Sequence, residues 1–170
     1  MSAEQIFLTF SAEKLGQLRD RIHDYASGLS IEQIWLRNSE SENSIGNLIL
    51  HLSGNVRQWI GTGVAGQPDH RNRDSEFAAR GGHAKNDLLN RLDEVVDAAI
   101  ATIRTLPPAR LIEKVVIQNY DVTLLEAIYH VVEHFAQHTG QIVFATKRMA
   151  PQSGRAWTPP VPGLETRSIP

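Results

Sequence analysis

The stretch His130-Val-Val-Glu-His134-Phe-Ala-Gln-His138 places three of the chain's seven histidines within nine residues. On a helix, a spacing of four sets successive rings one turn apart on one side. Two imidazoles so placed can share a metal ion at about 2.0–2.1 Å each. Imidazole nitrogen suits Zn, Ni, Cu or Fe(II). A site needs a third ligand, and His51, in another helical stretch, is the natural candidate.

At about 100° per residue, His138 falls about 80° from the apolar centre of its helix, His134 about 120° and His130 about 160°. His134 and His138 therefore lie on a flank that a neighbouring helix can approach, while His130 points more nearly away. His51 lies about 120° from the centre of its own apolar face. A single helical histidine is more often solvated or hydrogen-bonded than a ligand, so the pattern alone leaves both readings open. His23, His70 and His83 have no partner spacing and read as structural or surface residues. A second motif overlaps the first. His130-x-x-Glu133-His134 has the spacing of an inverted zinc-peptidase signature with Glu as general base. Glu133 falls on the side away from the apolar stripe, and the chain is short for a peptidase with a substrate cleft.

Four helices must position these residues. The first is expected over residues 3–28, opened by a Ser2/Gln5 capping box, with Phe7, Phe10, Leu18, Ile22, Tyr25 and Leu29 as its buried face and Gly28 as its stop. Residues 30–43 read as a connector with one short turn at Ser30–Gln33 and Trp35 as a core plug. The second helix starts after Ser44, a good N-cap, and runs to Val64, with Ile45, Leu48, Ile49, Leu52, Val56, Trp59 and Ile60 inward. Residues 66–86 are polar and read as a solvated surface crossover with a turn around Phe77. The third helix, 85–106, has one stripe through Leu88, Leu92, Val95, Ala99, Ile103 and Leu106, and Pro107-Pro108 ends it. Val115-Val116-Ile117 is too short for a sheet of its own and reads as an extended connector. A Thr123/Glu126 capping box opens the fourth helix, which carries Leu125, Ile128, Val131, Val132, Phe135, Ile142 and Val143 to about Met149. The Pro-rich residues 150–170 read as a tail that Trp157 could pin to the body.

The fold class expected is all-α. Four helices of about 20 residues suggest a four-helix bundle, and the long crossover between the second and third allows these two to be parallel neighbours. With 170 residues the chain can bury a sizeable core as one domain. Its net charge of −2 argues against a nucleic-acid footprint or a polybasic membrane anchor. The absence of cysteine removes a disulfide framework, a thiolate metal site and a cysteine nucleophile together, and fits a cytoplasmic protein. The start has no basic segment followed by an apolar stretch, so no secretory signal is expected. No apolar run is long enough for a membrane span.

Two segments carry a family resemblance. Ser44-Ile-Gly-Asn-Leu-Ile-Leu-His51-Leu-Ser-Gly-Asn-Val-Arg-Gln-Trp-Ile60 and Thr123-Leu-Leu-Glu-Ala-Ile-Tyr-His-Val-Val-Glu-His134-Phe-Ala-Gln-His138-Thr-Gly-Gln141-Ile resemble the DinB-like superfamily, which is grouped with bacillithiol and mycothiol S-transferases. The likeness covers most of residues 1–149. It implies an up-down-down-up bundle, metal ligands at His51, His134 and His138, and a homodimer. The superfamily name comes from DNA-damage induction and does not imply DNA binding.

Three neutral ligands on a divalent metal leave an open position, as in catalytic sites. The expected ion is zinc or nickel, ahead of iron or manganese. One reaction is thiol transfer, for which the sulfur must come from a small-molecule thiol such as bacillithiol, mycothiol or glutathione. A second is hydrolysis by metal-activated water, for which no convincing general base is visible. A third reading is a metal-stabilised dimeric bundle without catalysis. Asn55, one turn beyond His51, and Gln141 could orient a ligand or be ordinary bundle polar residues.

Overall fold

Serine caps set the starts of the first three helical elements. Ser2, Ser30 and Ser44 each accept a hydrogen bond from the backbone three residues on, and Gln5, Gln33 and Asn47 return the bond to the cap's own N–H. Each capping box satisfies backbone donors that the first turn of a helix leaves free. The computed structural model describes residues 1–149. The expected tail at 150–170, with Trp157, lies outside the described residues.

The elements are α1 (Ala3–Ala26), a one-turn α2 (Ile31–Ile34), α3 (Ile45–Val56), a short α4 (Arg73–Ala78) and α5 (Lys85–Thr105). A 3₁₀ turn, Pro108–Ile112, then leads into the strands β1 (Lys114–Ile117) and β2 (Tyr120–Thr123), and α6 (Leu124–Met149) closes the fold. The segment Arg57–Val64 continues α3 as a π-helix. Side-chain pairs fix the directions. Arg19 and His23 of α1 meet Asp97 and Asp93 of α5, so these helices are antiparallel. The Lys147 ammonium lies 5.9 Å from the Tyr25 ring, so α6 runs parallel to α1. His51 meets His134 and Trp59 meets His130, so α3 opposes α6. The result is an all-α four-helix bundle in up-down-down-up order, with the long crossover joining α3 to α5. Phe135, Leu15, Ile22, Ile49, Leu52, Leu92 and Ile103 lie fully buried at its centre.

Three local expectations change. The buried row of α1 is Leu8, Ala12, Leu15, Ile22 and Ala26. Phe10 is exposed, and Phe7, Leu18 and Tyr25 are half-buried on the flank. Two rows at helical spacing coexist on α1, and α5 and α6 seat on the row whose small alanines allow close approach. On α6, Leu125 is likewise exposed.

The run at Val115 is no isolated connector. It pairs with Tyr120–Thr123 as an antiparallel hairpin, Lys114 opposite Thr123 and Ile117 opposite Tyr120. Gln118 and Asn119, both at positive φ (52° and 67°), make the tight turn, a conformation whose twist matches paired strands. A two-stranded hairpin is marginal alone, and this one is anchored. Ile117 is buried against Gly63, where a Cβ would lie 2.2 Å from the Ile117 Cδ1.

The crossover is also not wholly solvated. Asn72 caps α4, and the buried Asn47 amide donates to the carbonyls of Glu76 and Ala79, both at 2.9 Å. Asn47 thus serves twice, in the cap of α3 and as a clamp that holds α4 against it.

Candidate metal centre

Every residue of α3 from Ile45 to Val56 is buried, so His51 sits inside the bundle. His134 and His138 rise one turn apart on α6 and face it. The Nε2 atoms of His51 and His134 are 3.1 Å apart, and those of His138 and His134 are 3.2 Å apart. One ring nitrogen from each of the three lies within 4.8 Å of the others. Tetrahedral bonds of about 2.0–2.1 Å place two ligand nitrogens about 3.4 Å apart. The spacing therefore fits a divalent metal on three imidazoles.

The next layer orients two of these rings. The Glu76 carboxylate accepts from His51 Nδ1 at 3.0 Å. Arg71 grips the same carboxylate with two bonds of 2.8 Å, one to each oxygen. Both side chains are buried, Arg71 at 4% and Glu76 at 8% exposure. They fit only because residue 54 is glycine, where a Cβ would meet Glu76 Oε1 at 1.9 Å. The Phe77 ring packs on His51 at 4.6 Å. On α6, His138 Nδ1 lies 2.7 Å from Gln141 Oε1. Ligating histidines usually bond their second nitrogen in this way, which fixes the tautomer. His134 differs, since its buried Nδ1 has no hydrogen-bond partner among the described residues.

Burial keeps the His134 and His138 rings neutral. Burial, followed by the neighbouring His138 and His51, pushes His134 down to about 3. Burial also lowers His138, against the Gln141 hydrogen bond that favours its charged form. Burial alone would raise Glu76, but the hydrogen bonds from Arg71 and His51 outweigh it and hold the carboxyl below its usual range. An anionic Glu76 beside neutral imidazoles with free lone pairs is the electronic state a metal ion requires.

Beside the histidines opens a cleft of about 680 Å³, lined by Asn55, Trp59, Arg73, Tyr120, Val122 and His130 together with His51 and His134. The sequence-derived residues His51, His134 and His138 come together here. Asn55 is buried and lines the cleft, its Oδ1 without a hydrogen-bond partner among the described residues, while Gln141 holds His138. Glu133 is exposed, as its helical position requires. His130 corrects the expectation that it points away. Its ring packs on Trp59 at 4.0 Å, 5.5 Å from His134, and burial lowers its pKa. His23 pairs with Asp93 at 2.8 Å, and the His83 ring stacks on Trp35.

Arg71 and Glu76 escaped the sequence reading. They sit in a polar stretch whose one unusual mark is the aromatic Phe77. Trp59 read only as core.

Residues 2–159 match the family of proteins of unknown function DUF1572. The chain belongs to the DUF1572 family. No curated protein matches this DUF1572 chain. A crystal structure of a DinB-like protein, YjoA from Bacillus subtilis, superposes with a TM-score of 0.64 at 17% identity, covering 88% of this chain and 95% of that one. This likeness shows a DinB-like fold for the DUF1572 chain. No described helix is long and apolar enough to cross a membrane.

Proposed function

We propose that His51, His134 and His138 hold a divalent transition metal, zinc or nickel first, and that the protein is a metal-dependent S-transferase acting on a small-molecule thiol. The observation that carries this reading is the convergence of three imidazole nitrogens, His134 Nε2 standing 3.1 Å from His51 and 3.2 Å from His138, with His51 and His134 on the wall of a cleft sized for a small molecule. A metal bound there would acidify a thiol or water brought to its open position.

The chain's own residues then have definite tasks. Glu76, locked by Arg71, keeps the proton of His51 on Nδ1 and leaves Nε2 free. Gln141 Oε1 does the same for His138. His130, neutral and on the cleft wall, can accept the thiol proton. The thiol sulfur bonds to an electrophilic carbon as the leaving group departs from that carbon, and the proton on His130 passes to the leaving group or solvent. The chain has no cysteine, so the cosubstrate supplies the sulfur.

Hydrolysis is the second reading, and His130 is the observation in its favour, since it could take a proton from water equally well. Glu76 is not free for that role, because Arg71 and His51 occupy both its oxygens. The resemblance also supports a homodimer, and Ile6 and Phe10, one turn apart and exposed on α1, offer apolar surface for it.

The test is metal content by mass spectrometry of the parent, His51→Ala and His134→Ala, followed by electrophile and ester turnover with and without added thiol. Stoichiometric metal lost in both variants, and turnover only with thiol, is the expected result. Turnover without thiol favours hydrolysis. Metal unchanged in the variants overturns the site.

A further inference from the structure

The Arg71–Glu76 pair also lines a second pocket, of about 220 Å³. Its walls come from three parts of the chain. Arg57 reaches it from the π-helical segment, Arg91 from α5, and His70 and His83 from the crossover, with Arg71 and Glu76 forming the floor.

The charge balance is unusual. Among the described residues Glu76 is the one acid on the walls, and Arg71 already neutralises it through two hydrogen bonds. Arg57 and Arg91 form no ion pair among the described residues, although Asp87 and Glu94 lie within a turn of Arg91 on α5. Arg91 is part-buried, and its Nε–H is hidden from solvent with no acceptor among the described residues. Folded proteins seldom leave a buried donor unpaired, and such a group needs a physical reason.

The exposed Arg57 and the part-buried Arg91 bring two guanidiniums without ion-pair partners to one concavity, which suits a ligand carrying two negative charges. Guanidinium forks match an oxyanion with several coplanar or tetrahedral oxygens better than a single-atom anion. At about 30 Å³ for each water, the pocket has room for about seven waters, which suffices for a phosphate with a short organic stem. Chloride would leave most of those donors unused.

We propose that this pocket binds a small phosphate dianion, free or as a phosphomonoester, between Arg57 and Arg91. The site adjoins His51 through the Arg71–Glu76 pair that forms its floor, but its two binding arginines touch none of the three histidines, and it stands whether or not they hold metal.

The experiment is calorimetric titration of the full chain with inorganic phosphate and with glycerol phosphate, at constant ionic strength, on metal-loaded and chelator-treated protein. Saturable one-to-one binding is expected in both preparations. Arg57→Gln and Arg91→Gln should each weaken it by about tenfold, while Arg110→Gln, a surface arginine paired with Glu113, should leave it unchanged. Tighter binding of glycerol phosphate marks a phosphorylated metabolite as the ligand, and tighter binding of inorganic phosphate marks the free ion. Either supports the site.

Should a variant fail to fold, NMR of the parent replaces it. The Nε–H resonance of Arg91 should shift with phosphate, and that of Arg110 should not. No saturable binding of either compound, binding that both variants leave intact, binding confined to the metal-loaded protein, or an unmoved Arg91 resonance overturns the proposal.

Discussion

Replacing Glu76 by glutamine tests the layer behind the histidines most directly. The carboxylate accepts three hydrogen bonds, one from His51 at 3.0 Å and two from Arg71 at 2.8 Å. Glutamine keeps the shape but turns one oxygen into a donor and removes the charge. The Arg71 side chain, 4% exposed, is then a buried cation without its carboxylate, keeping the Gln58 hydrogen bond, and breaking a buried ion pair in this way costs up to about 3–5 kcal/mol. Natural domains have about 5–15 kcal/mol in total, so Glu76→Gln should fold with a clearly lower melting temperature. The metal effect is separate. A glutamine oxygen at the Oε2 position can still accept from His51, so the metal loss in Glu76→Gln should be small; removing the acceptor altogether typically weakens metal binding about 10–100-fold, equivalent to about 1.4–2.7 kcal/mol.

The two effects come apart in the double variant Arg71→Met with Glu76→Leu. Exchanging a buried ion pair for apolar groups of similar volume is often neutral for stability, so metal-free stability should return toward the parent. His51 now lacks its acceptor, so metal affinity should be low. Zinc competition against a chromophoric chelator gives the affinity, and urea unfolding in chelator gives the stability. Parent-like affinity in the double variant, with metal lost in His51→Ala, would refute the orienting role and leave Glu76 as a partner of Arg71 alone.

Three further expectations follow from the same geometry. Gly54→Ala should lower both metal affinity, by at least about tenfold, and urea stability, because its Cβ would stand 1.9 Å from Glu76 Oε1; an exposed helical Gly→Ala change gains about 1 kcal/mol, so a gain here would contradict the packing. Ile117→Ala should cost about 2–5 kcal/mol in urea unfolding, because Ile117 anchors the hairpin on Gly63; a loss below about 0.5 kcal/mol would show that the hairpin is not docked. The pH dependence follows from His134, held at about 3 in the fold against about 6.5 in an unfolded chain. Below pH 6.5 the unfolded chain gains a proton that the fold refuses, so metal-free protein should lose up to about 1.4 kcal/mol per pH unit from this group as pH falls toward 3. Above that window the group contributes no slope. Urea unfolding in chelator at several pH values should show a flatter slope for His134→Gln, and an equal slope would refute the assignment.

Much of the architecture was readable because its signals are local. The serine caps, the stripe of α5 and the Thr123/Glu126 box depend on residues three or four apart, and each holds in the structure. The row on α1 misled because two apolar rows share that helix, and only the neighbouring helices choose between them. The hairpin was missed because four-residue strands carry little pattern, and this pair persists through a contact with Gly63, more than fifty residues away.

The chain by itself determined that His134 and His138 share one helix face with His51 on another helix, because helical geometry turns spacing into direction. Only the tertiary structure decided what surrounds them. His51 meets Glu76 across 25 residues of sequence, and Arg71 reaches the same carboxylate from a crossover that carries no periodicity. Asn47 and Gly54 make that meeting possible, one by clamping α4 and the other by leaving room for it. His130 likewise took its place in the cleft from the packing of Trp59, carried on the π-helical end of α3. Such contacts arise where separate elements close on one another, and no local pattern encodes which side chains will be there.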